Sequence, residues 1–241
     1  MAGVFTRVRP WCPKGDTMYS DSEKKALDEF EAHLSGPSFP CFAGQTALQR
    51  DLVTHVFAGP MGCPADDAKA AKAIAAFAAR DKAEHTFASL VVHFTDTESM
   101  PETGFERLLF ARLQGIHGAD APRHAWDPKV SDDPDDPSFS MSVGGKAFYV
   151  VGLHPGASRP ARRLAHPALV FNLHEQFEYL RSQGRYERLK SAIVERDIAL
   201  NGSANPMLAV HGSSSEAIQY SGRHIVGEWH CPFRPHREKA A

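Results

Sequence analysis

The 241 residues contain no run of about 18 consecutive apolar side chains, so nothing in the sequence reads as a membrane span. The opening stretch, Met-Ala-Gly-Val-Phe-Thr-Arg-Val-Arg-Pro, lacks the apolar core of a signal peptide. Cysteine is scarce and scattered. Cys12, Cys41, Cys63 and Cys231 show no Cys-x-x-Cys spacing, which excludes the common zinc ribbons and fingers. With no export signal, free thiols in a reducing cytoplasm are expected. Charge of one sign is also lacking: 27 Lys and Arg stand against 29 Asp and Glu, a net of −2. That balance offers no general attraction to nucleic acid or anionic lipid, and neither is expected as a partner. Several catalytic signatures are absent as well: Gly-x-Ser-x-Gly, the Walker loop, His-Glu-x-x-His and the Rossmann glycine fingerprint.

What the chain does have is an ordinary globular balance, 42% apolar and 23% charged, enough to bury a full core and to exclude disorder or a fibrous repeat. Histidine is abundant, with 13 residues. The near-neutral net charge conceals a split: residues 1–137 hold 14 basic and 21 acidic side chains, whereas 138–241 hold 13 and 8. No internal repeat or long linker divides the chain. The expectation is one domain over 1–241, of α+β (mixed α/β) class, with a mixed central sheet flanked by helices.

Residues 20–35 read as a helix capped by Asp21 or Ser22 and stopped at Gly36-Pro37. A strand is expected at 52–57, an alanine-rich helix at 66–82, a strand at 87–94 and a helix at 101–116 that starts on Pro101. The segment 127–137 carries five aspartates broken by prolines. It has no EF-hand spacing and reads as a solvated loop. Residues 139–143 and 146–153 flank Gly144-Gly145 and predict a hairpin, because tight two-residue turns need positive φ. Two helices are expected at 166–181 and 186–200.

Unusual residues crowd the second half. A buried strand runs into His154-Pro155, and a strand-to-loop junction is where site residues commonly sit. Arg159, Arg162 and Arg163 follow at once. They face either the acidic loop or an anionic ligand. On the expected 166–181 helix, Val170, Leu173, Phe177 and Leu180 form an apolar stripe with His174 at its edge. Unaided, these residues describe an anion-binding pocket with histidines.

Five segments together resemble the YqcI/YcgG family: Val-Gly-Leu-His-Pro-Gly-Ala-Ser-Arg-Pro-Ala-Arg-Arg (151–163), Leu-Val-Phe-Asn-Leu-His-Glu-Gln-Phe-Glu (169–178), Asn-Gly-Ser-Ala-Asn-Pro-Met-Leu (201–208), Ser-Glu-Ala-Ile-Gln-Tyr-Ser-Gly-Arg (215–223) and Trp-His-Cys-Pro-Phe (229–233). Phe39-Pro40-Cys41-Phe42 resembles its N-terminal motif. Several members are heme proteins that N-hydroxylate a guanidino group or amine of arginine-like amino acids, in the guanitoxin and cycloserine pathways. The resemblance therefore implies a heme b-dependent N-hydroxylase using O2 or H2O2, with an electron-donor protein and oligomerisation both open. A non-catalytic heme-binding or redox-sensing protein is the alternative, and a thiol enzyme built on Cys231 a third.

Under that resemblance the axial iron ligand is His154 or His174, with Cys231 or Cys41 next and His211 last. The second histidine then handles protons across the same ring. Arg159, Arg162, Arg163 and Arg223 are the expected partners of the propionates or of a substrate carboxylate. Glu216 and Glu175 are the expected partners of a substrate guanidinium.

Overall fold

Capping chemistry places the first helix. The Ser20 hydroxyl accepts the Glu23 N–H, and the Glu23 carboxylate accepts the Ser20 N–H at 2.8 Å, a capping box that starts α1 (Asp21–Ser35). Ala26, Phe30 and Leu34 then fall on one face and are buried. The computed structural model describes residues 19–80, 87–205 and 214–236; Cys12 and His211 lie outside them. A short helix that the sequence pattern did not suggest, α2 (Phe42–Gln49), follows. Cys41 caps it, its sulfur accepting the Gly44 N–H at 3.4 Å, which gives the Phe-Pro-Cys-Phe stretch a structural role.

The other elements are β1 (Val53–Ala58), α3 (Asp67–Ala78), β2 (Ser89–Phe94), α4 (Glu102–Asp120), β3 (Met141–Val143), β4 (Lys146–Leu153), β5 (Ala168–Leu173), α5 (His174–Ser182) and α6 (Tyr186–Asn201). The five strands form one mixed sheet in the order β1-β2-β5-β4-β3. Only β1 and β2 are parallel, and every other neighbouring pair is antiparallel. The hairpin at 139–153 forms as expected, Gly144 and Gly145 both adopting positive φ of 62° and 69°. The architecture is a single α+β domain.

Two expectations fail. The cap of α1 is Ser20, not Asp21 or Ser22, which lie within its first turn. Residues 166–181 are not one helix: 168–173 form β5, and helix starts only at His174. β5 lies between β2 and β4, so both its edges are paired, and helices cover both its faces, so its apolar residues run on without alternation. Such a run reads equally as buried strand or buried helix, and pairing on both sides decides it.

The sheet is covered on both faces. α3 and α4 pack Ile74, Phe77, Phe105, Leu109 and Leu113 against Leu90, Val92, Phe148, Val150 and Phe171. α1 covers the opposite face, where Phe30 and Leu34 meet Val91, Leu153 and Ala168. Gly152 permits the close approach of α4, since a Cβ there would stand 2.7 Å from the Phe105 ring and 2.8 Å from Leu109. These two layers fix where the strand ends, and the chemistry-bearing residues gather at those ends.

Candidate functional site

β4 and β5 run antiparallel, Phe148 opposite Leu173 and Leu153 opposite Ala168. His174 therefore follows the pair at one end and His154 at the other, roughly 20 Å apart at about 3.3 Å per strand residue. This corrects an expectation. The two histidines cannot face each other across one ring, so the residues suggested by the sequence fall into two groups.

The first group surrounds His154, which is completely buried. Its ring stacks on Phe105 at 4.0 Å and 14°, which covers one face of the imidazole and leaves its nitrogens at the edge. Neither ring nitrogen has a hydrogen-bond partner among the described residues. Burial pushes this imidazole down to about 4, so it is neutral near pH 7. An unpaired buried polar group costs free energy, and native structures keep few of them.

The arginines beside it are committed to protein acceptors. Arg162 donates to the carbonyls of Gly152, Tyr220 and Gln219, and its own carbonyl accepts the His154 N–H at 3.0 Å. Arg163 donates to the carbonyls of Ala157 and Ser158, both at 3.0 Å. Arg159 pairs with Asp197 and donates to the Ser203 carbonyl. Arg223 makes a bidentate pair with Glu106 at 2.7 and 3.1 Å, and that carboxylate also accepts from Ser221 and Trp229. None of the four faces the 127–137 loop through these contacts. Within that loop Asp133 and Asp136 accept backbone N–H groups two residues on, while Asp127 accepts the Ala147 N–H of β4 at 2.9 Å, and no metal-binding cluster occurs among the described residues.

The second group surrounds His174 in a cleft of about 800 Å³ lined by Asp127, Lys129, Val130, Ala147, His174, Glu175 and Glu178. The His174 ring stacks on Tyr149 at 3.8 Å. Its Nε2 lies 3.0 Å from the Ser140 hydroxyl and 3.2 Å from Glu216 Oε2. Ser140 and Tyr220 both donate to Glu216 Oε1 at 2.6 Å, and the Tyr220 oxygen accepts the Met141 N–H. Burial, together with the nearby Glu216 charge, pushes the Tyr220 phenol well up and keeps it a donor. A carboxylate holding a histidine nitrogen suits acid–base work at the ring. Glu175 pairs with Lys146 at 2.8 Å.

The cysteines separate from both groups. Cys231 is fully buried in the main core, and burial pushes its thiol up to about 12. Such a thiol stays protonated and inert near neutrality. Burial likewise raises Cys41.

Residues 30–234 match the model of the YqcI/YcgG family, most of the chain. The chain belongs to the YqcI/YcgG family. Comparison with the curated proteins and with the solved structures gave no match. In this YqcI/YcgG protein the resembling segments have distinct structural places. The 151–163 and 215–223 segments meet through Arg162, while 169–178 and 215–223 meet through His174 and Glu216. The 229–233 segment supplies Trp229 to Glu106 and Cys231 and Phe233 to the core.

Sequence reasoning missed Ser140, Tyr220 and Glu106, ordinary residue types that only the fold brings to the groups above. It also missed a run of hydrogen-bonded histidines, His55, His93 and His166, ending on Glu29. Their wide spacing leaves no local pattern to find.

Proposed function

We propose that this YqcI/YcgG protein is a heme-dependent N-hydroxylase that oxygenates a guanidino or amino nitrogen of a small arginine-like amino acid. The observation that carries the reading is His154: a fully buried imidazole, neutral near pH 7, with both ring nitrogens unpaired. Heme iron takes a neutral imidazole as axial ligand, so the donor atom fits. Cys231 fits poorly, because its thiol is held protonated. His174 has its Nε2 committed to Ser140 and Glu216, which leaves Nδ1 alone as a donor atom, whereas both nitrogens of His154 are unengaged.

His154 is the residue that would hold the iron of heme b. Bound heme supplies the oxidising chemistry, the activation of O2 or H2O2 for transfer of one oxygen atom to nitrogen. The protein's own residues set the geometry. Phe105 fixes the plane of the imidazole, and the Arg162 carbonyl fixes the backbone that carries it. Arg162, Arg163 and Arg159 brace the 154–163 loop through carbonyls and Asp197, so these arginines position the ligand. Glu102, whose Oε1 accepts the Ser158 N–H and hydroxyl, is the carboxylate whose charge acts on His154 and is assigned to the cationic nitrogen of the substrate. His174 and Glu216, at the other end of the sheet, take no part in that step.

The test is reconstitution of purified protein with hemin. A Soret band is expected for the natural protein and for His174→Ala, with heme uptake reduced at least tenfold in His154→Ala. Arginine with a reductant and O2, or with H2O2, is expected to gain one oxygen atom by mass spectrometry. Protein that stays colourless, or His154→Ala with an unchanged spectrum, overturns the assignment. A Soret band with no oxygenated product from a panel of amines would favour the non-catalytic heme-binding reading.

A further inference from the structure

A third titratable assembly lies on the α1 face of the sheet, apart from both groups described above. β1 and β2 pair in parallel with His55 opposite Val91 and His93 opposite Phe57, which sets the two histidines close enough for their rings to meet. His55 Nδ1 lies 2.9 Å from His93 Nε2, and His93 Nδ1 lies 2.9 Å from His166 Nε2. His166 Nδ1 lies 3.1 Å from Glu29 Oε2 on α1. Phe30 packs edge-on against both His55 and His93, and Phe57 stacks on His93. His93 is fully buried, while Glu29 reaches the surface beside Lys25.

The chain has a direction. Burial pushes all three imidazoles below their ordinary value, so each carries a single N–H near pH 7. A carboxylate accepts and does not donate. Glu29 therefore takes the Nδ1–H of His166, whose Nε2 takes the Nδ1–H of His93, whose Nε2 takes the Nδ1–H of His55. One pattern satisfies every junction, and it leaves the His55 Nε2 lone pair at the far end. That Nε2 has no hydrogen-bond partner among the described residues.

We propose that His55, His93, His166 and Glu29 form a proton relay that accepts a proton at His55 Nε2 and delivers one at Glu29. The transfer balances without any other reactant. A proton bonds to His55 Nε2 while its Nδ1–H bond breaks toward His93, the same exchange repeats at His93 and His166, and the last proton bonds to a Glu29 oxygen. Each ring ends neutral as the opposite tautomer. The proposal rests on this hydrogen-bond chain alone and not on the heme assignment.

Nitrogen-15 NMR of histidine-labelled protein tests it. All three rings are expected as the Nδ1–H tautomer, the reverse of the form favoured by free histidine in water. A majority Nε2–H tautomer at His93 overturns the direction. Glu29→Gln keeps an oxygen to accept the His166 N–H but cannot take up the proton. The ring N–H of buried His93 is expected to exchange with solvent at least tenfold more slowly in that variant. His166→Phe, which removes the link between His93 and Glu29, is expected to slow it as much. Unchanged exchange in either variant reduces the chain to a packing device and overturns the relay.

Discussion

Arg162 donates from Nη1 to the Tyr220 carbonyl at 3.0 Å, tying the loop that follows β4 to a segment almost sixty positions on. Nη2 reaches the Gln219 carbonyl at 3.0 Å. Removal of one cation would leave buried carbonyls short of a donor. Arg162→Ala is expected to cost about 3 kcal/mol in urea unfolding, and Arg162→Lys most of that, because an ammonium cannot span both carbonyls. Loss of less than about 1 kcal/mol on alanine substitution would show that the 154–163 loop is held by other contacts.

Glu216 gathers Ser140, His174 and Tyr220. A shared acceptor couples its donors, so its removal costs more than one hydrogen bond. Glu216→Ala is expected to destabilise the fold by about 3 kcal/mol, and Glu216→Gln by about 1 kcal/mol, since an amide oxygen still serves Tyr220. A double-mutant cycle of Glu216→Ala with Tyr220→Phe should give a coupling well above zero. Additive losses would contradict a shared network.

Acid should weaken the fold early. Burial holds His55 at about 4 against an ordinary 6.5, and His93 and His166 are also lowered. Below pH 6.5 the unfolded chain binds protons that the folded one refuses, so stability is full above that pH and falls as pH drops toward 4. His55 alone accounts for about 3 kcal/mol across that window. Glu29, on α1 against His166, is the carboxylate that opposes the drop, with Lys25 beside it. Urea midpoints measured from pH 8 to 5 should hold steady above 6.5 and decline below it, less steeply in His55→Phe.

Thiol reactivity should separate the cysteines. Cys63 is exposed, whereas Cys231 is fully buried with its thiol pushed up to about 12. Dithionitrobenzoate is expected to label Cys63 rapidly and Cys231 only at the rate of global unfolding. Fast labelling of Cys231 in native protein would restore it as a reactive residue.

The elements set by local chemistry were readable from the sequence. Pro101 starts α4, Gly36-Pro37 ends α1, and Gly144-Gly145 turn the hairpin, because each acts on its immediate neighbours, although the α1 cap falls on Ser20 and not on the expected Asp21 or Ser22. β5 was not readable, because its identity depends on partners at Ser89–His93 and Phe148–Leu153. The same reason divides the site. His154 stood out by its place after a strand, but its distance from His174 follows from antiparallel register, which no spacing along the chain encodes. The Glu29–His55–His93–His166 run was invisible for the same cause. It exists only because β1, β2, α1 and the loop leading into β5 meet.

The central position of β5 also bears on synthesis. β2 is buried along its whole length, and it can pair with β1 as soon as both leave the ribosome. Its other edge stays open until residues 168–173 have been made. During that interval the nascent chain presents an apolar strand edge able to pair with another molecule. Slower translation between β2 and β5, or truncation before residue 168, should therefore favour aggregation over folding.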